Sequence, residues 1–504
     1  MKRIFGIVLC TAGSAWAGGF DLPDNGTEAL GRGGAFVAKA DDGTALEYNI
    51  AGLAGQQGTR LTVDTKLVFQ DLAFTRSGSY PGDPSDSRTP YAGQPYPTVH
   101  DGESIFFAPM LGLSTDLGRH LGPFRLGFGL YGPPSIGKHN YGVAVDDGPA
   151  EVKLPNGMKA PAPSRYDIAS TNLLIVFPTF ALAYRPHRII DFGFAWQIVY
   201  ANFDLYNANF TPLGPNNCPT PDYAGCDAYG HVKTSGSSFS SSDAKFDNTG
   251  YEFKPGLSSF GWIFSAMLHP TRWLDFGVNY RPQINVRTQG TLHAIPPAGF
   301  PKQMDSPVTF TATLPHQLRV GGRAVKRYAD GSEQGDLEID FLYENWAAEK
   351  ADHLHAEDFL LGAGGMLDVD VMHNYQDTFG VRIGGGYNRP LTQDWRLTGR
   401  LGTFFDAAAT RSAHTRLDFD TLAKWGFTTG LGIAWRGLQL NAAYALVFSP
   451  DRTVSDSELR AISAINGTNY SMNDPKIFVG DGLYHASVQL LSLGLTVNFG
   501  NLKY

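Results

Sequence analysis

The chain has no apolar run beyond its first residues that approaches the ~20 a helix needs to span a bilayer. If it is a membrane protein, it must therefore cross with strands closed into a barrel. An excess of positive charge is also missing. Forty Lys and Arg stand against 48 Asp and Glu, a net charge of −8, which argues against a nucleic-acid partner. No Gly-x-Ser-x-Gly, His-Glu-x-x-His or comparable catalytic constellation occurs in the sequence, so an enzyme is disfavoured and no cofactor is expected. Cysteine is almost absent, with three in 504 residues.

What is present begins with a leader. Lys2 and Arg3 open it, Ile4 to Ala12 form an apolar core, and Ala15-Trp16-Ala17 has the small-x-small pattern of a cleavage site. Residues 1–17 read as a secretory signal peptide, and its removal leaves 38 basic residues against 48 acidic. Leu9 before Cys10 is too bulky for a lipidation signal. The two remaining cysteines, Cys218 and Cys226, lie in a Pro/Asn/Gly-rich segment. In an oxidising compartment they are expected to form a local loop disulfide, and no companion ligands for a metal lie near them.

The dominant signal is alternation. From Leu274 to Gln289 one parity carries Leu274, Phe276, Val278, Tyr280, Pro282, Ile284 and Val286, and the other carries Asp275, Asn279, Arg281, Asn285 and Arg287. That reads as one long strand with a greasy and a wet face, well beyond the roughly five or six residues of a globular strand. Leu337, Ile339, Phe341 and Tyr343 repeat it, as do Leu491, Leu493, Leu495, Val497 and Phe499. Charged residues on the wet parity suit a hydrated lumen better than a dry sandwich core.

Strands are expected at about 59–74, 103–117, 122–134, 164–184, 189–205, 256–270, 273–290, 308–327, 335–350, 374–389, 393–407, 422–435, 437–449 and 484–499. Short joins such as Asp330-Gly331-Ser332 and Arg436-Gly437 alternate with long ones such as 75–102, 135–163, 205–253 and 449–483. This is the asymmetry of an outer-membrane barrel, with tight periplasmic turns and long external loops. Trp273, Trp346, Trp395, Trp425 and Trp435 fall near strand ends, where an aromatic girdle would place them. The expected fold is all-β, a transmembrane antiparallel barrel of about fourteen strands over residues 59–504.

Residues 18–58 are different, being rich in Gly and Ala: Gly18-Gly19-Phe20, Gly31-Arg32-Gly33-Gly34-Ala35, Asp41-Asp42-Gly43-Thr44-Ala45 and Asn49-Ile50-Ala51-Gly52-Leu53. No strand precedes these glycines and no Lys-Ser/Thr follows, so a phosphate loop is a weak reading. These stretches resemble the N-terminal hatch of FadL-type long-chain fatty acid transporters, a family that includes uptake channels for toluene and other aromatic hydrocarbons. Phe107-Ala108-Pro109, Leu130-Tyr131-Gly132-Pro133-Pro134, Asn279-Tyr280-Arg281-Pro282, Leu314-Pro315 and Asp481-Gly482-Leu483-Tyr484 extend the resemblance along the mature chain.

The resemblance implies a monomeric barrel, plugged by a hatch inside the lumen, that passes hydrophobic small molecules passively across the Gram-negative outer membrane. Cargo would meet a loop groove, then a pocket touched by the N-terminus, and leave sideways into the membrane lipids at a kinked third strand. Phe20 falls on the aromatic that reaches the pocket, Asn49 and Ala51 on the hatch motif, and Gly132 and Pro133 near the kink. Ile50 stands where the family has proline, which makes that turn less rigid. Independently, Pro133 and Pro134 cannot donate to a ladder, so the wall opens there or the strand simply ends.

Further candidates rest on the residues alone. Ile295, Phe300 and Met304 belong to an apolar external patch, either a loading groove or a self-packed loop. Arg281, Arg287, Arg319 and Arg323 lie on wet parities and could hold a carboxylate head group, although cross-strand pairs with Glu338, Asp340 and Glu344 are the favoured reading. His353, His355, Glu357 and Asp358 read as a solvated loop cluster, so no metal is expected, and Ser235 to Ser242 reads as a flexible tract. The alternative function is a structural barrel whose loops contact other cells or phage.

Overall fold

The computed structural model describes residues 25–133, 137–142, 149–210, 227–237, 245–247, 250–252, 260–295, 305–356, 367–418, 422–459 and 478–501. The leader 1–17, Phe20, Pro134, Cys218, Cys226, Phe300, Met304, Glu357 and Asp358 lie outside the described residues.

Fourteen antiparallel strands form the wall. They are β1 Arg60–Arg76, β2 Ile105–Thr115, β3 Phe124–Tyr131, β4 Ser170–His187, β5 Ile190–Gln197, β6 Gly261–Thr271 and β7 Leu274–Arg281. The second half comprises β8 Gln317–Arg327, β9 Glu333–Glu344, β10 Thr378–Pro390, β11 Trp395–Asp406, β12 Lys424–Trp435, β13 Leu438–Phe448 and β14 Gly482–Asn498. Each pairs with the next. The ring closes where β1 pairs with β14, from Arg60 opposite Asn498 to Arg76 opposite Gly482. Closure removes the free edges that hydrocarbon would leave without hydrogen-bond partners.

Period-two alternation sorts the side chains. On β12, Trp425, Phe427, Leu431 and Ile433 are exposed outward, while Lys424 and Thr428 are buried inward. Dozens of outward Leu, Phe and Ile around the ring make a surface that only lipid covers without penalty. Trp273, Trp395, Trp425 and Trp435 sit exposed at strand ends, but Trp346 does not join them. It is buried, in a 3₁₀ turn Trp346–Ala348 beyond β9.

Six short turns gather at one end, at 116–123, 188–189, 272–273, 328–332, 391–394 and 436–437. The long connections gather at the other, which is therefore the external end. Their described residues hold regular strands where the alternation predicts loops. An external sheet continues above the wall in the order Tyr200–Phe210, Asp227–Ser237, Ile284–Ile295, Ser306–Leu314, Ala351–Ala356 and Leu367–Met372. It is rooted on residues 170–176 of β4. Ser235 to Ser237 thus end a strand, the rest of that tract to Ser242 lying outside the described residues, and His353 and His355 lie in a ladder rather than in an irregular loop.

The run from Leu274 to Gln289 is two strands and not one. The β7 ladder ends at Arg281 opposite Gln317, and a new one starts at Ile284 opposite Leu314. Pro282 has no amide to give, and the Gln283 amide donates to His316 Nδ1 at 3.2 Å instead of to a ladder. Across this break the even-numbered face reverses its environment: Phe276, Val278 and Tyr280 are exposed, whereas Ile284 and Val286 are buried. Arg287 accordingly lies exposed on the external sheet and does not face the lumen.

Candidate functional site

Residues 25–58 lie inside the ring. They form two short helices, Thr27–Leu30 and Ala45–Tyr48, and a 3₁₀ turn Ile50–Gly55, nearly all buried. So short a piece, rich in Gly and Ala, has little core of its own and is held by the wall. Arg32 makes a two-pronged contact with Asp336 at 2.8 and 2.6 Å and reaches Glu338 at 3.1 Å. Asp340 accepts the Phe36 and Val37 amides at 2.8 and 3.0 Å, and Glu338 accepts those of Ala38 and Lys39 at 2.6 and 3.2 Å. Opposite, Arg400 meets Glu28 at 2.9 Å. Gly384 and Gly402 let the Arg32 backbone touch the wall, since a Cβ at either would collide with it.

Asn49 caps the 3₁₀ turn: its side chain accepts from Ala51 N at 3.1 Å and donates to Val37 O at 2.8 Å. Ala51 N also meets Ser265 Oγ on β6 at 3.0 Å. Both residues are fully buried, and their contacts fasten the inner segment. Burial, reinforced by the carboxylates of Glu28 and Asp64, pushes Asp42 up to about 8. Burial also disfavours the charge on Glu28, but Arg400 and Lys39 outweigh it and hold that carboxyl low.

Above this segment two cavities adjoin. The upper one is walled by Ile175, Phe203, Val286, Ala312 and Leu314 on the sheet side and by Trp346, Tyr375 and His373 opposite. Tyr375 stacks on His373 with centroids 4.8 Å apart, and His373 Nε2 lies 3.0 Å from Asp352. Glu349 shares this wall, and burial pushes its carboxyl up to about 7. The lower cavity is lined by Tyr131, Gly132, Pro133, Phe177, Arg281, Arg319 and Glu47. Leu314 and Trp346 line both cavities.

The lower cavity ends at a break in the wall. β3 stops at Tyr131, whose last partner is Phe177, and it pairs with β2 only up to Leu130 opposite Leu111. Beyond it, residues 105–110 of β2 have no ladder on this side among the described residues. Asn25, the first described residue, donates to Gly132 O at 2.8 Å and to Glu47 Oε2 at 3.0 Å. Asn25 of the inner segment therefore lies at the break itself. Tyr131 OH donates to Leu46 O at 3.0 Å and accepts from Gln197 Nε2 at 2.9 Å.

The four arginines do not come together. Arg281 lies over Phe177 at 5.9 Å and Arg319 over Tyr48 at 5.1 Å, both lining the lower cavity. Arg323 sits near the periplasmic end, paired with Asp275 at 3.4 Å, Asp336 at 2.7 Å and Glu333. Arg287 is on the external sheet. The expected cross-strand pairs give way to contacts with the inner segment, because Glu338 and Asp340 are occupied by Arg32 and by backbone amides; Glu344 takes Gln317 and Trp346 at 2.8 Å each. Ile295 is half-buried opposite Tyr229 on the paired strand, against the cluster that holds that ring. No group of metal-ligating side chains occurs among the described residues. Trp346, Phe177 and Tyr131 went unremarked as site residues in the sequence. The Gly132-Pro133 break was their only signal, because the cavity collects them from distant strands.

A closed, lipid-facing barrel with a segment inside it and a lined path to a wall break defines the class of outer-membrane transport barrels. The chain belongs to the family of outer membrane transport proteins described as OMPP1/FadL/TodX, whose family model matches residues 153–499. It is a protein of the Gram-negative outer membrane, from a family of channels for hydrophobic compounds. The crystal structure of a Pseudomonas aeruginosa FadL homologue superposes with a TM-score of 0.68 at 16% identity, covering 95% of this chain and 100% of that one. The Ralstonia pickettii toluene transporter TbuX gives 0.58 at 16% identity, and the P. putida toluene transporter TodX gives 0.58 at 15%. Each is covered by 95% of this chain, over 100% and 99% of its own length. At such identities the likeness carries the fold alone. None of the curated protein sequences matches the chain.

Proposed function

We propose that this chain, acting as a monomer, takes up hydrophobic small molecules that carry a carboxylate, long-chain fatty acids foremost, by passive diffusion. Cargo passes from the external loops into the apolar upper cavity, past Trp346 into the lower one, and out through the wall at Gly132 and Pro133. Residues 18–58 act as the hatch that closes the straight route to the periplasm. One observation carries this reading: an apolar chamber leads to a cavity lined by the guanidinium groups of Arg281 and Arg319 beside the carboxylates of Glu47 and Glu344, and that cavity ends at the interruption of β3. A sideways exit keeps an acyl chain out of water, a gain of ~25 cal/mol per Å² of apolar surface.

Arg281 and Arg319 are assigned to the carboxylate, while Arg287 lies on the face of its strand opposite to Val286 and Arg323 is held by Asp275, Glu333 and Asp336. The aromatic hydrocarbons named for the toluene transporters would use the same apolar chamber without the head-group contact. Uptake of labelled oleate and toluene by cells carrying wild type or Arg281→Met separates the two cargoes. A loss of one charge-assisted contact, ~1.5–3 kcal/mol, lowers oleate uptake roughly tenfold or more and leaves toluene unchanged. Equal uptake of both cargoes by the variant would remove the carboxylate from the proposal. No difference from cells lacking the protein would remove transport altogether.

A further inference from the structure

The periplasmic rim carries a charge opposite to that of the chain. Although the chain is net −8, each of the six short turns bears or adjoins an exposed arginine: Arg119, Arg188, Arg272, Arg327, Arg389 and Arg436. The carboxylates exposed on these turns are Asp330 and Asp394. Trp273, Trp395 and Trp435 are exposed at the same level, the level of lipid headgroups in an aromatic girdle. Trp395 and Trp435 stack with centroids 5.9 Å apart, and the Arg436 guanidinium lies 5.2 Å from the Trp435 ring. Arg436 also stands 3.5 Å from Asp394, a pair that is half-exposed and so weakly held.

Directly above this corner the outer wall is indented. Leu397, Leu431, Ile433, Leu440, Ala442 and Leu495 line an apolar groove on the lipid side of β11 to β14. The indentation follows from Ala442, whose cross-strand neighbours are Leu431 and Leu493. Counting along β12 from Trp435, Ile433 and Leu431 lie about 7 and 13 Å further along the strand at ~3.3 Å per residue. A cation and an indole pair at headgroup depth, with an acyl-sized channel rising from them, match one phospholipid molecule.

We propose that the periplasmic rim binds anionic glycerophospholipid and that one molecule is seated with its phosphate at Arg436 and an acyl chain in the groove over Ala442. The partner is a lipid of the inner leaflet, distinct from the transported cargo, and the seat stands whether or not the transport route is as proposed. Basic side chains close to an anionic lipid surface each favour it by roughly fivefold, so six produce a marked preference for charged over zwitterionic lipid.

The test uses the full-length mature protein in nanodiscs of equal phosphatidylglycerol and phosphatidylcholine, with the lipids retained on release counted by native mass spectrometry. Wild type retains phosphatidylglycerol in excess, and the excess falls as sodium chloride is raised. The variant R272Q/R389Q/R436Q loses most of it, roughly a hundredfold in relative affinity for three charges. Ala442→Phe fills the groove without touching a charge and removes the most tightly held molecule. Equal retention of the two lipids by wild type would overturn the proposal without any variant. An excess that survives the triple variant would overturn the role of the arginines, and a tight molecule that survives A442F would overturn the seat.

Discussion

Replacing Arg32 by methionine should unlock the inner segment without unfolding the barrel. Arg32, Asp336 and Glu338 have side chains no more than 1% exposed, so removing the cation strands buried negative charge. Asp336 keeps Arg323 at 2.7 Å, but Glu338 loses its direct cationic contact. Breaking a buried pair from one side costs ~3–5 kcal/mol. At 1.4 kcal/mol per factor of ten, the population with a displaced segment rises ~100- to 4,000-fold. Ion conductance in a planar bilayer reads this out, because the wall behind the segment is polar. R32M should show frequent openings and faster proteolysis within residues 25–58, while the wall keeps its resistance to heat in detergent. Glu338→Gln added to R32M removes the stranded charge yet retains an oxygen for the Ala38 and Lys39 amides, so conductance should fall back towards wild type. R32M with wild-type conductance and proteolysis would refute the latch.

Other outcomes follow from the same contacts. Asp42 has its pKa raised from 3.8 to about 8 on folding, so its contribution to stability is complete below about 4 and is lost as pH rises to about 8. Asp42→Asn keeps an acceptor for Thr44 and should abolish that decline, measured as the urea midpoint of segment release between pH 5 and 8. Gly402→Ala drives a methyl group into the Arg32 backbone, where no flexible side chain can yield. It should cost ~1–3 kcal/mol or more and raise conductance as R32M does. Trp346→Ala opens the boundary between the two cavities, and saturation kinetics of oleate uptake should change while surface abundance of the protein does not.

The wall was legible because each of its strands writes its own two faces into the sequence. Leu337 to Tyr343 and Leu491 to Val497 needed no knowledge of their neighbours. The external sheet was hidden for a physical reason: Ile284 and Val286 continue the parity of Phe276 and Val278, so periodicity alone runs through the break. Pro282 and Pro315 were the available warnings, on opposite sides of the gap between the two ladders. The hatch contacts were not legible, because Arg32 and its partners Asp336 and Glu338 are some three hundred residues apart. Charges on the wet faces of neighbouring strands suggested cross-strand ion pairs, and the lumen instead gave Glu338 and Asp340 to the inner segment.

The most direct test of the proposed route is to trap cargo along it. An oleate analogue with a diazirine at the end of its chain is allowed to enter outer membranes carrying the protein, irradiated, and its adducts mapped by mass spectrometry. The account predicts adducts on Phe203, Val286 and Trp346, then on Tyr131 and Pro133, and finally on Leu130 and Leu174 at the outer face of the break. Adducts that instead run down to the cavity at the periplasmic end, lined by Lys39, Gln56 and Arg185, would contradict it.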